Sequence, residues 1–276
     1  MSSRTLYVTD LDFTLLMADA RASAATVQGI NELSERGTLI TFATARSFGS
    51  ASRATAGIRW RHPVVTYGGT IIADGTSGRP FDVALLDDAV VRAICAATAS
   101  DPELEPVFHT YESGAERIRW RVGSESAGVR LFIDHRLGDP RLRPLASWRE
   151  LERDSAYYAV VIGREDPVRA LAAALTEATR DCAVFVSTDP YTPDQWWLEI
   201  HSGAATKADG ARRVAERLDA ERIVAFGDNH NDVPLFEFAD EAYAVGNAVP
   251  ELKERATGVL EGHDTDAVVR WLLANA

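Results

Sequence analysis

Asp10 and Asp12 stand two residues apart, just after the apolar run Leu6-Tyr7-Val8. Apolar runs rich in aromatic and β-branched residues form buried strands. Both carboxylates are therefore expected just beyond a strand's C-terminal end, where ligands bind in open α/β sheets. Two carboxylates in one small space have two chemical uses. One attacks while the other moves protons, or both face a metal ion. Asp is also common in turns and at helix N-caps, so the pair alone does not decide between chemistry and structure.

Three further stretches place reactive groups at or near the ends of predicted elements. Thr44 follows the strand predicted over 38–43, and Lys207 opens the helix predicted over 206–218. Asp228 and Asp232 follow the strand 223–226, in Gly227-Asp228-Asn229-His230-Asn231-Asp232. A parallel sheet would bring all of these to one edge. Crowded carboxylates repel one another and favour a hard divalent cation. Mg²⁺ prefers oxygen ligands and leaves room for a substrate phosphate. The amine and the hydroxyl then hold the phosphate oxygens that the metal does not reach. That is equipment for phosphoryl transfer, which needs positioning and charge neutralisation.

The elements that must position these groups follow from hydrophobic spacing. Val27, Ile30 and Leu33 lie at helical intervals within 23–36, and Gly37 closes that helix. Strands over 38–43 and 63–66 continue a strand–helix–strand–helix–strand order, which implies a parallel sheet with right-handed crossovers. The pattern changes beyond residue 80. A helix over 85–99 precedes strand-like runs at 106–112 and 116–122, joined at Ser113-Gly114. A strand over 156–162, a helix over 166–180 and a strand over 182–187 follow, while 123–150, rich in Gly, Pro and Arg, has no clear assignment. Trp197–Ile200 reads as the strand with which the α/β rhythm returns. The expectation is an α/β, Rossmann-like parallel-sheet core formed by 1–80 and 188–276, interrupted by an α+β segment, 81–187.

Composition narrows the function classes. Of 276 residues, 46% are hydrophobic, enough for a sizeable core. A net charge of −12 argues against nucleic acid or an anionic membrane as partner. The two cysteines, Cys95 and Cys182, make neither a disulfide framework nor a metal motif. No apolar run approaches the ~18 residues of a membrane span, and the first strand leaves no room for a signal peptide. A cytoplasmic protein is expected. Lys207 and Lys253 are the only lysines among 29 basic residues. Such Arg-rich usage points to a GC-rich bacterial genome, in which a retained Lys is one that Arg cannot replace.

Taken in order, the four stretches resemble the haloacid dehalogenase-like hydrolase superfamily, most closely its Cof-type branch of Mg²⁺-dependent phosphatases. Asp10-Leu11-Asp12-Phe13-Thr14 is similar to the first motif, with Phe13 where Gly is usual. Thr44, Lys207 and Gly227-Asp228-Asn229-His230-Asn231-Asp232 match the second, third and fourth, and Asn247-Ala248-Val249-Pro250 with Lys253 matches the run that follows. The resemblance implies a phosphatase that hydrolyses a small phosphorylated metabolite, a sugar or polyol phosphate, through a phosphoaspartate. Asp10 would be the nucleophile and Asp12 the acid–base. Thr44, Lys207 and Asn231 would hold or orient phosphate. Asp10, the Asp12 backbone carbonyl, Asp228 and Asp232 would hold Mg²⁺. The segment 81–187 would be a cap domain that sets selectivity. A phosphomutase on the same scaffold and a non-catalytic phosphate-binding protein are the alternatives. Arg117, Arg119 and Arg121 share a face of a predicted strand, as an anion contact or a solvated face.

Overall fold

The computed structural model describes residues 4–123, 126–151, 156–179, 181–189 and 192–276. The chain divides into two compact units, Met1–Asp82 with Thr206–Ala276, and Val83–Ala205. The first unit opens with β1 (Thr5–Thr9), α1 (Ala24–Glu35), β2 (Leu39–Phe42) and α2 (Phe48–Ala54). Next come β3 (Val64–Thr66), β4 (Ile71–Ala73) and β5 (Pro80–Val83), a small three-stranded sheet. Ser23 and Ser47 cap α1 and α2, their hydroxyls accepting from the N–H groups of Thr26 and Ser50. Such caps satisfy donors that the first helical turn leaves open.

The second unit contains α3 (Asp88–Thr98), β6 (Pro106–Glu112), β7 (Ala115–Arg119), α4 (Ala127–Asp134) and β8 (Ala156–Gly163). It ends with α5 (Glu165–Ala178), β9 (Cys182–Asp189) and β10 (Thr192–Ser202). Arg180, the expected end of the helix from 166, lies outside the described residues. The strands form an antiparallel sheet in the order β7-β6-β8-β10-β9. One face packs Phe108, Val161, Leu198 and Ile200 against Val90 and Ile94 of α3 and Val168 and Leu171 of α5. On the other face, Phe132 of α4 meets the ring of His109.

Two segments differ from the sequence reading. Trp197–Ile200 was expected to rejoin the α/β core at 188, but β10 pairs antiparallel with β8 and β9, so this unit runs to Ala205. Alternation along β10 places Leu198 and Ile200 in the same core as Phe108, and that burial selects its sheet. The unassigned stretch contains α4. A Cβ at its Gly128 would lie 2.1 Å from the Ile162 carbonyl oxygen. The glycine is a packing contact.

The chain returns to the first unit with α6 (Lys207–Arg217), β11 (Arg222–Gly227), α7 (Val233–Phe238) and β12 (Glu241–Ala244). α8 (Pro250–Arg255), β13 (Gly258–Val259) and α9 (Ala267–Asn275) complete it. The core is a parallel sheet in the order β13-β12-β11-β1-β2. A bridge from Ala43 to Val65 extends it towards β3. Leu6, Val8, Ile40, Phe42, Val224 and Phe226 are buried, as expected of parallel strands covered on both faces. Among the described residues no helix is long and apolar enough to cross a membrane.

Buried His109 makes the second unit acid-sensitive. Burial, with Arg141 and Arg136 adding to it, pushes its imidazole down from an ordinary 6.5 to about 3. The folded state therefore resists protonation that the unfolded chain accepts, and stability falls as pH drops from about 6.5 towards 3. His109→Phe keeps an aromatic ring beside Phe132 and cannot be charged. Comparing thermal unfolding of the two proteins across this range, the wild type should lose more stability than the variant.

Candidate active site

The register of the core sheet assembles the site. Thr9 of β1 lies opposite Phe226 of β11 on one side and Phe42 of β2 on the other. Asp10, Asp228 and Thr44 therefore leave the sheet at one edge, from three adjacent strands. The chain passes from β1 to β2 on one side, while β11 arrives on the other. That reversal of strand order marks the ligand crevice of open α/β folds. The backbone continues the ladders, with the N–H of Asp10 donating to Phe226 at 2.9 Å and that of Thr44 to Val65 at 3.1 Å.

Lys207 reaches this edge from the start of α6. Thr206 caps the helix in a reciprocal box with Asp209. Gly69, at φ +116°, lets the turn after β3 lie against this cap, because a Cβ would sit 2.0 Å from the Thr206 carbonyl oxygen. The Lys207 side chain is buried, and its Nζ donates to Oδ1 of Asp10 and to Oδ1 of Asp232, each at 2.7 Å. Burial alone would lower this ammonium, but the two carboxylates outweigh it and hold it above its ordinary value.

Asp232 is fully buried. Its Oδ2 accepts from the backbone N–H groups of Asp228 at 3.0 Å and Asn229 at 3.1 Å. Gly227 makes room for this carboxylate, since a Cβ there would come within 2.7 Å of Oδ2. The fixed glycine of the motif is thus explained by close approach. The Thr14 hydroxyl donates to Oδ1 of Asp228 at 3.2 Å. Asn231 shares the single-turn helix His230–Asp232 and is exposed.

One oxygen each from Asp10, Asp228 and Asp232 lies within 4.8 Å of the others. Burial pushes Asp10 well above the usual carboxylate range; Lys207 pulls it back and Asp232 adds to the rise. Burial and Asp232 push Asp228 up to about 6. Three carboxylates share one ammonium, so negative charge is left over. An all-oxygen, buried donor set of this charge fits a hard divalent cation.

Asp12 is placed differently. Its side chain is 38% exposed and forms a two-point ion pair with Arg46. Nε of Arg46 donates to Oδ2 at 2.8 Å and Nη2 to Oδ1 at 2.5 Å. The buried Thr44 accepts at Oγ1 from the Arg46 backbone N–H at 3.2 Å, which leaves its hydroxyl hydrogen to donate elsewhere. Arg46 and Thr14 carried no role in the sequence analysis, although Thr14 stands inside the first motif and Arg46 lies two residues beyond Thr44. The Arg117–Arg121 row belongs to the second unit, where Arg119 pairs with Glu112 at 2.5 Å and Arg121 with Glu105 at 3.0 Å. Lys253 donates to the Gly246 carbonyl at 2.6 Å. His230 is exposed beside Glu251.

This architecture has many relatives. The family model for haloacid dehalogenase-like hydrolases matches residues 7–272. The chain is 25% identical to the stress response protein YhaX of Bacillus subtilis (strain 168), over 96% of this chain and 91% of that one. It is 23% identical to the 5-amino-6-(5-phospho-D-ribitylamino)uracil phosphatase YitU of the same organism, over 97% and 96%. The crystal structure of TM0651 from Thermotoga maritima shares the fold with a TM-score of 0.78, at 23% identity, covering 99% of this chain and 97% of that one. The chain belongs to the haloacid dehalogenase-like hydrolase family. It is an enzyme, a phosphoric monoester hydrolase.

Phe13 shows what the departure from the first motif costs. Its φ is +54°, in the left-handed region where the usual Gly is unstrained. Asn247 holds the turn there, donating through Nδ2 to the Phe13 carbonyl at 2.8 Å, while its Oδ1 accepts from the His263 N–H at 3.0 Å. The Phe13 ring is exposed, with its neighbour His263 at 5.7 Å between centroids. A left-handed non-glycine residue costs about 1–2 kcal/mol, and the looser unfolded chain of a glycine variant takes back about half of that. Phe13→Gly should therefore stabilise the protein by roughly 0.5–1 kcal/mol. Calorimetry should show Tm rising by roughly 1–3 °C; a fall would mean that the ring's contact with His263 outweighs the backbone strain.

Proposed function

We propose that this enzyme hydrolyses a sugar or polyol phosphate in two steps, with Asp10 as the nucleophile, Asp12 as the proton carrier and Mg²⁺ as the cation. The observation that carries the reading is the separation of the two carboxylates. Asp10 is buried beside an ammonium and two further acids, whereas Asp12 is tied outside that cluster, at a more exposed position. A nucleophile needs the first setting. A group that exchanges protons with a leaving alcohol and with water needs the second.

In the first step, Oδ2 of Asp10 attacks phosphorus and the ester P–O bond breaks. Asp12 gives its proton to the departing alkoxide. In the second, Asp12 takes a proton from water as that water attacks the aspartyl-phosphate, which releases inorganic phosphate and restores Asp10. Lys207 uses two of its three hydrogens on Asp10 and Asp232, and the third is directed to a phosphoryl oxygen. The Thr44 hydroxyl donates to another, and Asn231 orients the phosphate. Asp10, Asp228, Asp232 and the backbone carbonyl of Asp12 would hold Mg²⁺, which neutralises charge on the phosphoryl oxygens when bound. The relative named for a phosphate on a ribityl chain supports a polyol phosphate as substrate. The second unit, on this reading, is the cap that selects among substrates.

The two aspartates should fail in different ways. Asp10→Asn should abolish hydrolysis and any covalent adduct. Asp12→Asn should lower turnover of an alkyl phosphate about 10²–10⁴-fold. With p-nitrophenyl phosphate, whose leaving group hardly needs a proton, its first step should survive better and leave phosphate on Asp10. Rapid-quench kinetics with mass spectrometry of the Asp10 peptide reads both, and equal losses for the two esters would remove Asp12 from the acid role.

Metal dependence should be steep. EDTA should abolish turnover and Mg²⁺ should restore it. Ca²⁺, with its larger and looser shell, should inhibit. Activity assays after exhaustive chelation test this, and full turnover by the chelated enzyme would exclude the cation role.

A further inference from the structure

Arg46 is braced from three directions. Its backbone N–H donates to Oγ1 of Thr44 at 3.2 Å, and its carbonyl accepts from the Tyr67 N–H at 3.0 Å. Its Nη1 donates at 3.3 Å to the Ser50 hydroxyl, in the first turn of α2. The remaining edge of the guanidinium, Nε and Nη2, faces the Asp12 carboxylate as a planar fork. Two parallel donors fix the distance and also the plane of a carboxylate.

Asp12 needs such a support. It sits on the turn after β1, two residues from Asp10, and its half-exposed side chain has little packing to choose a rotamer. The Lys207 ammonium, which holds Asp10 two residues away, would attract a loose carboxylate. We propose that Arg46 is the positioning residue for Asp12, holding its carboxylate outside the acidic cluster, and that it acts on turnover only through that group. The inference rests on the proton-transfer role assigned to Asp12 above. A direct phosphate contact fits the geometry less well, because the fork edge already faces Asp12 and a phosphoryl group would have to displace it.

A double-mutant cycle on Arg46→Ala, Arg46→Lys and Asp12→Asn, with an alkyl phosphate and with p-nitrophenyl phosphate, tests this. Misplacing a reacting group by about 1 Å costs about 10²-fold. Arg46→Ala should therefore lower kcat for the alkyl phosphate about 10²-fold, less for the nitrophenyl ester, with KM nearly unchanged. Arg46→Lys should recover part of the loss. In the Asp12→Asn background, Arg46→Ala should add nothing. A raised KM with equal losses for both esters, or losses that multiply in the double variant, would overturn the proposal in favour of a phosphate contact. Wild-type kcat with a lowered Tm would overturn it in favour of a bracing role in the fold.

Carbodiimide labelling of Asp12, read by peptide mass spectrometry, needs no turnover. It should rise several-fold in Arg46→Ala while the labels on Asp10, Asp228 and Asp232 stay constant, and an unchanged Asp12 label would refute the positioning role. Should the wild type hydrolyse neither ester, the phosphatase mechanism above falls, and the labelling still decides whether Arg46 holds Asp12.

Discussion

The Lys207 ammonium, buried between Asp10 and Asp232, is the interaction on which the rest of this site depends. Charges 4 Å apart interact by about 4 kcal/mol at an effective dielectric constant of 20, and two carboxylates held together here without a cation would repel on that scale. Removing one partner of a buried pair costs about 3–5 kcal/mol, so the lysine holds the fold of the site as well as its charge. It does not finish the task. Asp228 joins the same cluster, and one ammonium cannot neutralise three carboxylates. Burial, with the charge of Asp232 adding to it, drives Asp228 up to about 6, and the charge left unbalanced suits the cluster to a divalent cation.

Reaching that arrangement demands close backbone approach at two places. Without Gly69, the cap of α6 could not lie against the turn after β3, and Lys207 would start from a different point. Without Gly227, the Asp232 carboxylate would be displaced from the N–H groups of Asp228 and Asn229. The sheet supplies the frame, because parallel pairing of β1 with both neighbours sets Asp10, Thr44 and Asp228 at one level. Asp10, Thr44 and Asp228 therefore leave the ends of neighbouring strands, where the ladder fixes the backbone that carries them.

The turn after β1 carries a different load. It carries Asp12, which Arg46 holds outside the cluster, and next to it Phe13 in a left-handed conformation. Asn247 binds the strained carbonyl and, through its other end, the segment at His263. The Asn of the run that follows the fourth motif is thereby tied to the residue that departs from the first motif. This coupling between distant stretches of chain keeps an unusual residue compatible with an ordinary turn.

Much of the core was legible in the sequence because its signals are local. Leu6-Tyr7-Val8 and the strands over 38–43 and 223–226 are apolar runs, and the reactive residues follow them at once. Burial of such runs in a parallel sheet brings their ends together almost by necessity. Assignments that depended on partners far along the chain were not legible. The alternation in β10 shows a strand but not which sheet will bury Leu198 and Ile200, and that was decided by pairing with β8 and β9. The stretch 123–150 had no assignment, and the close approach of Gly128 to the Ile162 carbonyl exists only between α4 and β8 once folded. The pairing of Arg46 with Asp12 spans 34 residues, and nothing in either local pattern announces it. The sequence by itself determined the inventory of reactive groups and the strand ends that carry them, since periodicity and composition encode local structure. Tertiary structure alone decided which carboxylate is buried beside Lys207 and which is held by Arg46, since register, turn conformation and close packing exist only once the chain has folded.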